Sequence, residues 1–299
     1  MAAMICGGID LGGTKIEARL FDGPDAATTQ LRRIATPREN YARMLAALIE
    51  QIRWLQQVSG RDDLPVGIAV PGIIDPETGG VFTANTPARG HSIRDDLMAQ
   101  LGRPFPVVND CMAFALSEAC GGAGDGHRTV MGLILGTGVG GGLCIDGAIA
   151  PRAGGLAVEV GHVGLPASAM ARHGLTPRRC GCGRLGCMET AVSGTGLANI
   201  AEDILGTRIE GADLVRGGHE DVLEIWADIA GECLLTIQLM LAPDCIVLGG
   251  GLSNMPDVVP RLERALERHA LRTMKPTRLL QARHGDSSGT RGAALLARR

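Results

Sequence analysis

The stretch RRCGCGRLGCMET, residues 178–190, carries three cysteines in the spacing Cys180-x-Cys182-x4-Cys187. Three thiolates need a fourth ligand to complete a tetrahedral Zn²⁺ site. The nearest upstream imidazoles are His162 and His173. Cys-x-Cys is a poor redox spacing beside Cys-x-x-Cys, and disulfides are rare in a reducing compartment. The expectation is a zinc cage that pins a loop with little core of its own. Glu189 lies two residues past Cys187, and Glu159 three residues before His162. A zinc joining His162 to the cysteine loop would bring both carboxylates to one place, as acceptors for a polyhydroxylated ligand. Two surface glutamates fit the same spacing.

Asn109-Asp110 ends the apolar run FPVV. A carboxylate there could take a proton from a hydroxyl that attacks a γ-phosphate, since phosphoryl transfer needs positioning, charge neutralisation and one such base. Asn109 could hydrogen-bond a neighbouring hydroxyl. Taken alone, the dipeptide reads more readily as a turn.

Three glycine-rich turns follow apolar strands: DLGGTK (10–15), GTGVGGG (136–142) and GGGLS (249–253). Glycines after a strand expose backbone N–H groups and admit a phosphate closely. Thr14 and Thr137 add hydroxyl donors. One such turn is ordinary in a hairpin; three of them, two at matching places in the two halves of the chain, point to a bound nucleotide. No G-x-x-x-x-G-K-[ST] loop is present. Residues 136–141 fit G-x-G-x-x-G, but the strand-like GLCIDGAI follows where a dinucleotide site needs a helix. Asp10, at the end of the first strand, could hold Mg²⁺ through water or cap its turn.

These residues need a scaffold of strands and helices. MICGGID and KIEARLF read as a strand pair across LGGT, and TVMGLILGTGVGGGLCID repeats that design. YARMLAALIEQIRWLQQV has helical spacing, with Met44, Leu45, Leu48, Ile52 and Leu55 on one face. PVGIAVPG, FPVVND and DCIVLGGGLS read as strands. CMAFALSEACGGAG, VLEIWADIAGECLLTIQLMLAP and RGAALLARR read as helices. Two α/β halves result, with a boundary near Gly121–Gly126. The 299 residues suffice for two cores. Net charge is −3, and no Lys/Arg run forms a nucleic-acid footprint. No segment approaches the ~20 apolar residues of a membrane span. The apolar start lacks a basic region and meets Asp10 at once, so it reads as a strand rather than a signal peptide; a cytoplasmic protein is expected. Cys6, Cys111, Cys120, Cys144, Cys233 and Cys245 lie in apolar elements and are expected as buried core thiols.

The motifs GIDLGGTK, VPG, ND, ILGTGVGGG, EVGH, CGCGRLGCMET and IVLGGGLS follow in this order across nearly the whole chain. The chain resembles the ROK family of sugar kinases and repressors, and most closely the bacterial N-acetyl-D-glucosamine kinase branch. The resemblance implies an α/β chain of actin-like ATPase (ribonuclease H-like) fold, with two α/β domains and a cleft between them. Residues 1–118 plus 286–299 would form a smaller domain with the first phosphate loop and the catalytic Asp. Residues 119–285 would form a larger one with the second phosphate loop, the zinc site and an adenosine loop.

It also implies roles. Gly8, Asp10, Gly12, Gly13, Thr14 and Lys15 would bind ATP, with Gly136, Thr137, Gly138, Gly140, Gly141 and Gly250; Asp10 would lie near Mg²⁺ through water. Asp110 would be the base towards the sugar's 6-hydroxyl. Gly72, Asn109, Asp110, Glu159, His162 and Glu189 would form the sugar site. His162, Cys180, Cys182 and Cys187 would ligate a structural zinc, with the second nitrogen of His162 facing the sugar. A homodimer is implied, with neither nucleic acid nor membrane as partner. The family's repressors carry an N-terminal winged-helix domain, for which the start of the first motif by Gly8 leaves no room. A non-catalytic sensor would have lost Asp110 or the phosphate loops, and both are intact. NTPA (85–88) resembles the N-acetylglucosamine kinases and lacks the tryptophan of glucokinases and fructokinases, which makes N-acetylglucosamine the first expected substrate. GDSSGTRGAA and ETAVSGTG resemble the manno(fructo)kinase branch, which keeps fructose, mannose or glucose as the next choice.

Overall fold

The computed structural model describes residues 5–23, 27–83 and 86–298. Asn85, the first residue of the NTPA motif, lies outside them.

In chain order the strands and α-helices are β1 (Cys6–Leu11), β2 (Lys15–Asp22), β3 (Ala27–Ala35), α1 (Tyr41–Ser59), β4 (Val66–Val70), β5 (Ile73–Ile74), β6 (Val81–Phe82), α2 (Ile93–Leu101), β7 (Val107–Asn109) and α3 (Asp110–Ala119). Then follow β8 (Thr129–Leu135), β9 (Val139–Ile145), β10 (Ala148–Ile149), α4 (Ala167–His173), α5 (Glu189–Val192), α6 (Gly194–Leu205), α7 (Gly211–Arg216), α8 (Glu220–Leu241), β11 (Cys245–Gly249), α9 (Val258–His269), β12 (Arg278–Gln281) and α10 (Ser288–Ala297). The chain forms two compact units: Met1–Asp125 with Gly142–Ala157 and Asp286–Arg299, and Gly126–Gly141 with Val158–Gly285.

The sheet of the first unit has the order β3-β2-β1-β4-β7. β1–β2–β3 is an antiparallel meander, while β4 and β7 run parallel to β1. Helix α1 covers one face. Asn40 caps its start by accepting from the Arg43 N–H, and Gly60 ends it in a left-handed turn. Met44, Leu45, Leu48, Ile52 and Leu55 are buried on its inner face, against Ile9, Leu11, Ile16 and Ile68. Helices α3 and α10 cover the other face. There α10 lies almost on the sheet backbone: a Cβ at Gly8 would sit 1.8 Å from the Thr290 carbonyl oxygen. The glycine at position 8 is therefore explained by close packing, two residues before the DLGGTK stretch begins.

In the second unit β11 runs parallel to both β8 and β12. Trp226 of α8 is fully buried and donates to the Val192 carbonyl at the end of α5. A strand, β9, follows the glycine loop after β8, as the sequence context required. The expected larger segment, 119–285, includes residues 119–125 and 142–157, which here pack with the first unit. A Cβ at Gly142 would meet the Cys111 carbonyl oxygen at 2.2 Å, so this stretch of β9 lies directly on α3. Of the six cysteines expected in the core, Cys6, Cys144, Cys233 and Cys245 are buried; Cys111 and Cys120 are half-buried, because they sit at the two ends of α3.

Candidate active site and metal cluster

In the first unit the site forms where β1, β4 and β7 end. Asp10 is the penultimate residue of β1, in register with Ala69 of β4. The turn after it is held by the Gly12 N–H donating to the Lys15 carbonyl, and by the Thr36 hydroxyl donating to the Gly12 carbonyl. Asn109 is the N-cap of α3, and its Oδ1 accepts from the N–H groups of Cys111 and Met112. Its Nδ2 donates to the Gly72 carbonyl at 2.9 Å and to Asp110 Oδ1 at 3.0 Å. An amide side chain has two acceptor positions and two donor hydrogens, and all four are used here. A sugar hydroxyl on Asn109 would have to displace one of these partners. Gly72 is placed by a left-handed φ of 100° and by contact with the Phe82 carbonyl, which a Cβ would meet at 2.2 Å.

Asp110 Oδ1 also accepts from the Cys111 N–H at 2.9 Å. Oδ2 takes part in neither bond and is the oxygen suited to a substrate proton. Burial pushes the Asp110 carboxyl above the ordinary range, against the pull of the hydrogen bonds from Cys111 and Asn109. Asp10 is pushed up to about 7, by burial first and then by the negative charges of Asp110 and Glu17. Two acids 100 positions apart in sequence are thus electrostatic neighbours, the arrangement that a divalent cation or a transferred proton relieves.

In the second unit His162, Cys180, Cys182 and Cys187 converge, their ligand atoms all within 4.8 Å of one another. Cys180 Sγ lies 3.6 Å from His162 Nδ1, and Cys182 Sγ lies 3.6 Å from Cys187 Sγ. Tetrahedral Zn²⁺ with Zn–S near 2.3 Å and Zn–N near 2.0 Å needs ligand separations of about 3.5–3.8 Å, so the donor set and its spacing fit zinc. Nδ1 faces the cluster, which leaves Nε2 for another partner. His173, the other imidazole left open by spacing, is drawn away: its Nε2 lies 2.8 Å from Asp228 on α8, which also meets Arg172 and His269.

Glu189 opens α5 beside the cluster. One oxygen lies 2.8 Å from Cys180 Sγ, and the other accepts weakly from the Val139 N–H at 3.4 Å. Glu159 is half-buried, and its carbonyl accepts from the His162 N–H. Thr137 and Gly138 form the turn between β8 and β9, with the Gly136 N–H donating to the Gly138 carbonyl. Gly140 lies within β9 beyond the turn. Gly141 follows it in β9, where a Cβ would meet Met131 and the Val158 carbonyl, each at 2.6 Å. Gly250, at a φ of 83°, passes so close to this loop that a Cβ would meet the Leu135 carbonyl oxygen at 2.5 Å.

A cleft of about 750 Å³ opens beside Gly136 and Thr137. Its wall includes Thr195, Val215, Arg216, Leu252 and Met255. Leu252 falls in the GGGLS turn and Thr195 in SGTG (193–196), whereas Val215 and Arg216 of α7 and Met255 come from separate elements without a shared motif.

The ROK family profile matches residues 6–299. The chain belongs to the ROK family. It is 41% identical over 296 residues to N-acetylgalactosamine kinase AgaK of Shewanella sp. (strain ANA-3), covering 97% of this chain and 95% of that one. It is 41% identical over 298 residues to N-acetyl-D-glucosamine kinase of Pectobacterium atrosepticum, covering 97% of each. Among solved structures, the ROK hexokinase of Thermus thermophilus superposes with a TM-score of 0.85 at 30% identity, covering 98% of this chain and 97% of that one. The fold of this ROK protein is the actin-like ATPase fold, and the protein is a sugar kinase. Among its described residues, no helix is long and apolar enough to cross a membrane.

Proposed function

We propose that this ROK kinase transfers the γ-phosphate of ATP to the 6-hydroxyl of an N-acetylhexosamine, N-acetyl-D-glucosamine first. The observation that carries the reading is Asp110: a half-buried carboxylate, one oxygen fixed by two hydrogen bonds, its proton affinity raised. A base works best when its pKa lies near the operating pH, and burial moves Asp110 in that direction. The attacking oxygen passes its proton to Asp110 Oδ2 as the new P–O bond forms and the bond to ADP breaks. The protein contributes mainly positioning and charge neutralisation. Residues 10–15 and the Gly136–Gly138 turn receive the phosphates, with Asp10 holding Mg²⁺ through water. The cleft beside Thr137 receives the nucleoside, its apolar wall of Val215, Leu252 and Met255 suited to a purine face.

Zn²⁺ held by His162 and the three cysteines supplies a rigid anchor for the loop that carries Glu189. Gly72, Asn109, Glu159, His162 and Glu189 are the residues that the family reading assigns to the sugar. Cytoplasmic location and a homodimer follow from the same family reading. The C4 epimer, N-acetylgalactosamine, is the second reading, favoured by the Shewanella relative at equal identity.

The test is ADP release from Mg-ATP with N-acetylglucosamine, N-acetylgalactosamine, N-acetylmannosamine, glucose, mannose and fructose, with Asp110→Asn as the blank. Loss of general-base catalysis corresponds to a fall of about 10²–10⁴ in kcat. Preference for fructose or mannose would overturn the acetamido reading and leave the base assignment intact. Turnover in Asp110→Asn within threefold of the parent would overturn the base assignment.

A further inference from the structure

One short segment joins the metal cluster to the phosphate loop. Cys187 is a cluster residue, and its carbonyl accepts from both the N–H and the hydroxyl of Thr190, which starts α5 directly on the ligand. Ser193 ends α5, its hydroxyl donating to the Glu189 carbonyl and accepting from the Gly196 N–H to cap α6. The next two residues reach the loop. The Gly194 N–H donates to the Gly136 carbonyl at 2.7 Å, and the Thr195 hydroxyl donates to the Thr137 carbonyl at 2.9 Å. At the other end of the segment, Glu189 accepts from the Val139 N–H. A Cβ at Gly138 would lie 2.8 Å from the same Glu189 oxygen.

The outward carbonyls of Gly136 and Thr137 and the N–H of Val139 are thus each tied to residues 187–195. A loop that binds phosphates through its N–H groups must hold its peptide planes in one orientation. Here its carbonyls are held by a segment whose first residue is a metal ligand.

We propose that Cys187–Thr195 couples metal occupancy of the His/Cys cluster to nucleotide binding at Gly136–Val139, with Thr195 and Glu189 as positioning residues. The proposal rests on the phosphate-loop and zinc readings above. Metal in the cluster fixes Cys187, and through α5 and Ser193 it fixes the loop before sugar arrives. Coupling between two binding equilibria is reciprocal, so nucleotide must also hold the metal more tightly.

The test uses the full chain without sugar. Mg²⁺–AMP-PNP is titrated calorimetrically into zinc-loaded protein and into protein stripped with a chelator, and zinc transfer to a chromophoric chelator is followed with and without AMP-PNP. The expected result is a weakening of AMP-PNP binding by about 5–20-fold on stripping, and an equal nucleotide-dependent shift in the zinc equilibrium, within the usual range of coupling. Thr195→Val keeps all four cluster residues. It should retain zinc yet bind AMP-PNP about 5-fold more weakly, with the reciprocal effect of nucleotide on zinc cut to within twofold. This variant decides the matter if stripping unfolds the protein. Unchanged AMP-PNP affinity in folded stripped protein, or full coupling in Thr195→Val, overturns the proposal alone. No AMP-PNP binding by zinc-loaded protein overturns the phosphate-loop reading and the proposal with it.

Discussion

Replacing Asp10 by Asn should make the ligand-free protein more stable at pH 8 while impairing catalysis. Asp10, one residue before the end of β1, faces the first turn of α10, where a Cβ at Gly289 would lie 3.4 Å from its Oδ2. Its carboxyl is raised from 3.8 to about 7 by burial and by the charges of Asp110 and Glu17. At about 1.4 kcal/mol per pH unit, the ionised form costs about 4 kcal/mol at most. Partial solvent access to the side chain reduces this to about 2 kcal/mol after screening. The sign follows from proton binding. Between pH 4 and 7, approximately, the folded state keeps the proton that the unfolded chain has lost, so stability falls as pH rises through that window. Asn carries no charge and escapes the loss. For a chain of this size about 2 kcal/mol corresponds to roughly 4–8 °C in Tm. Differential scanning calorimetry of parent and Asp10→Asn at pH 4.5 and pH 8 reads the effect directly. The Tm values should nearly coincide at the lower pH, with the variant higher at pH 8. Mg²⁺–nucleotide should stabilise the parent more than the variant. Equal Tm differences at both pH values, or a less stable variant at pH 8, would refute the electrostatic reasoning.

Cys182→Ser should lose most of its bound zinc by atomic absorption and melt several degrees lower, because metal binding to such a site contributes to folding free energy; full metal content would rule out the cage. Burial disfavours the charge on Asp228, but hydrogen bonds from His173, Arg172 and His269 outweigh it and hold the carboxyl below its usual range. Its contribution is present above the unfolded pKa and is lost as pH falls through the lower folded value. Asp228→Asn should therefore cost about 2 kcal/mol at pH 7, with the difference from the parent shrinking as pH drops below about 4; a constant difference down to pH 3 in thermal melts would contradict this.

Local information was legible because it is covalent and periodic. Cys180-x-Cys182-x4-Cys187 places three thiols on one tight loop whatever surrounds it. Apolar strand, glycine turn and strand recur in both halves because Gly12–Thr14 and Gly136–Gly138 must reverse the chain. Asn109 before Asp110 reads as a turn, but Asn109 is instead the N-cap where β7 runs directly into α3, and the same cap fixes the Asp110 carboxylate. The resemblance to ROK proteins rests on such local motifs, which is why it spans the chain. Three things needed the tertiary structure. The choice of His162 over His173 depends on α4 packing against α8, where Asp228 takes His173. The raised proton affinities of Asp10 and Asp110 depend on β1 and β7 ending at the same edge of the sheet, on either side of β4. The cleft beside Thr137 and the Cys187–Thr195 link depend on α5, α6, α7 and the turn after β11 meeting at Gly136 and Thr137. Spacing along a chain says which groups can reach one another; desolvation and competing partners decide which of them do, and both arise only when distant elements pack.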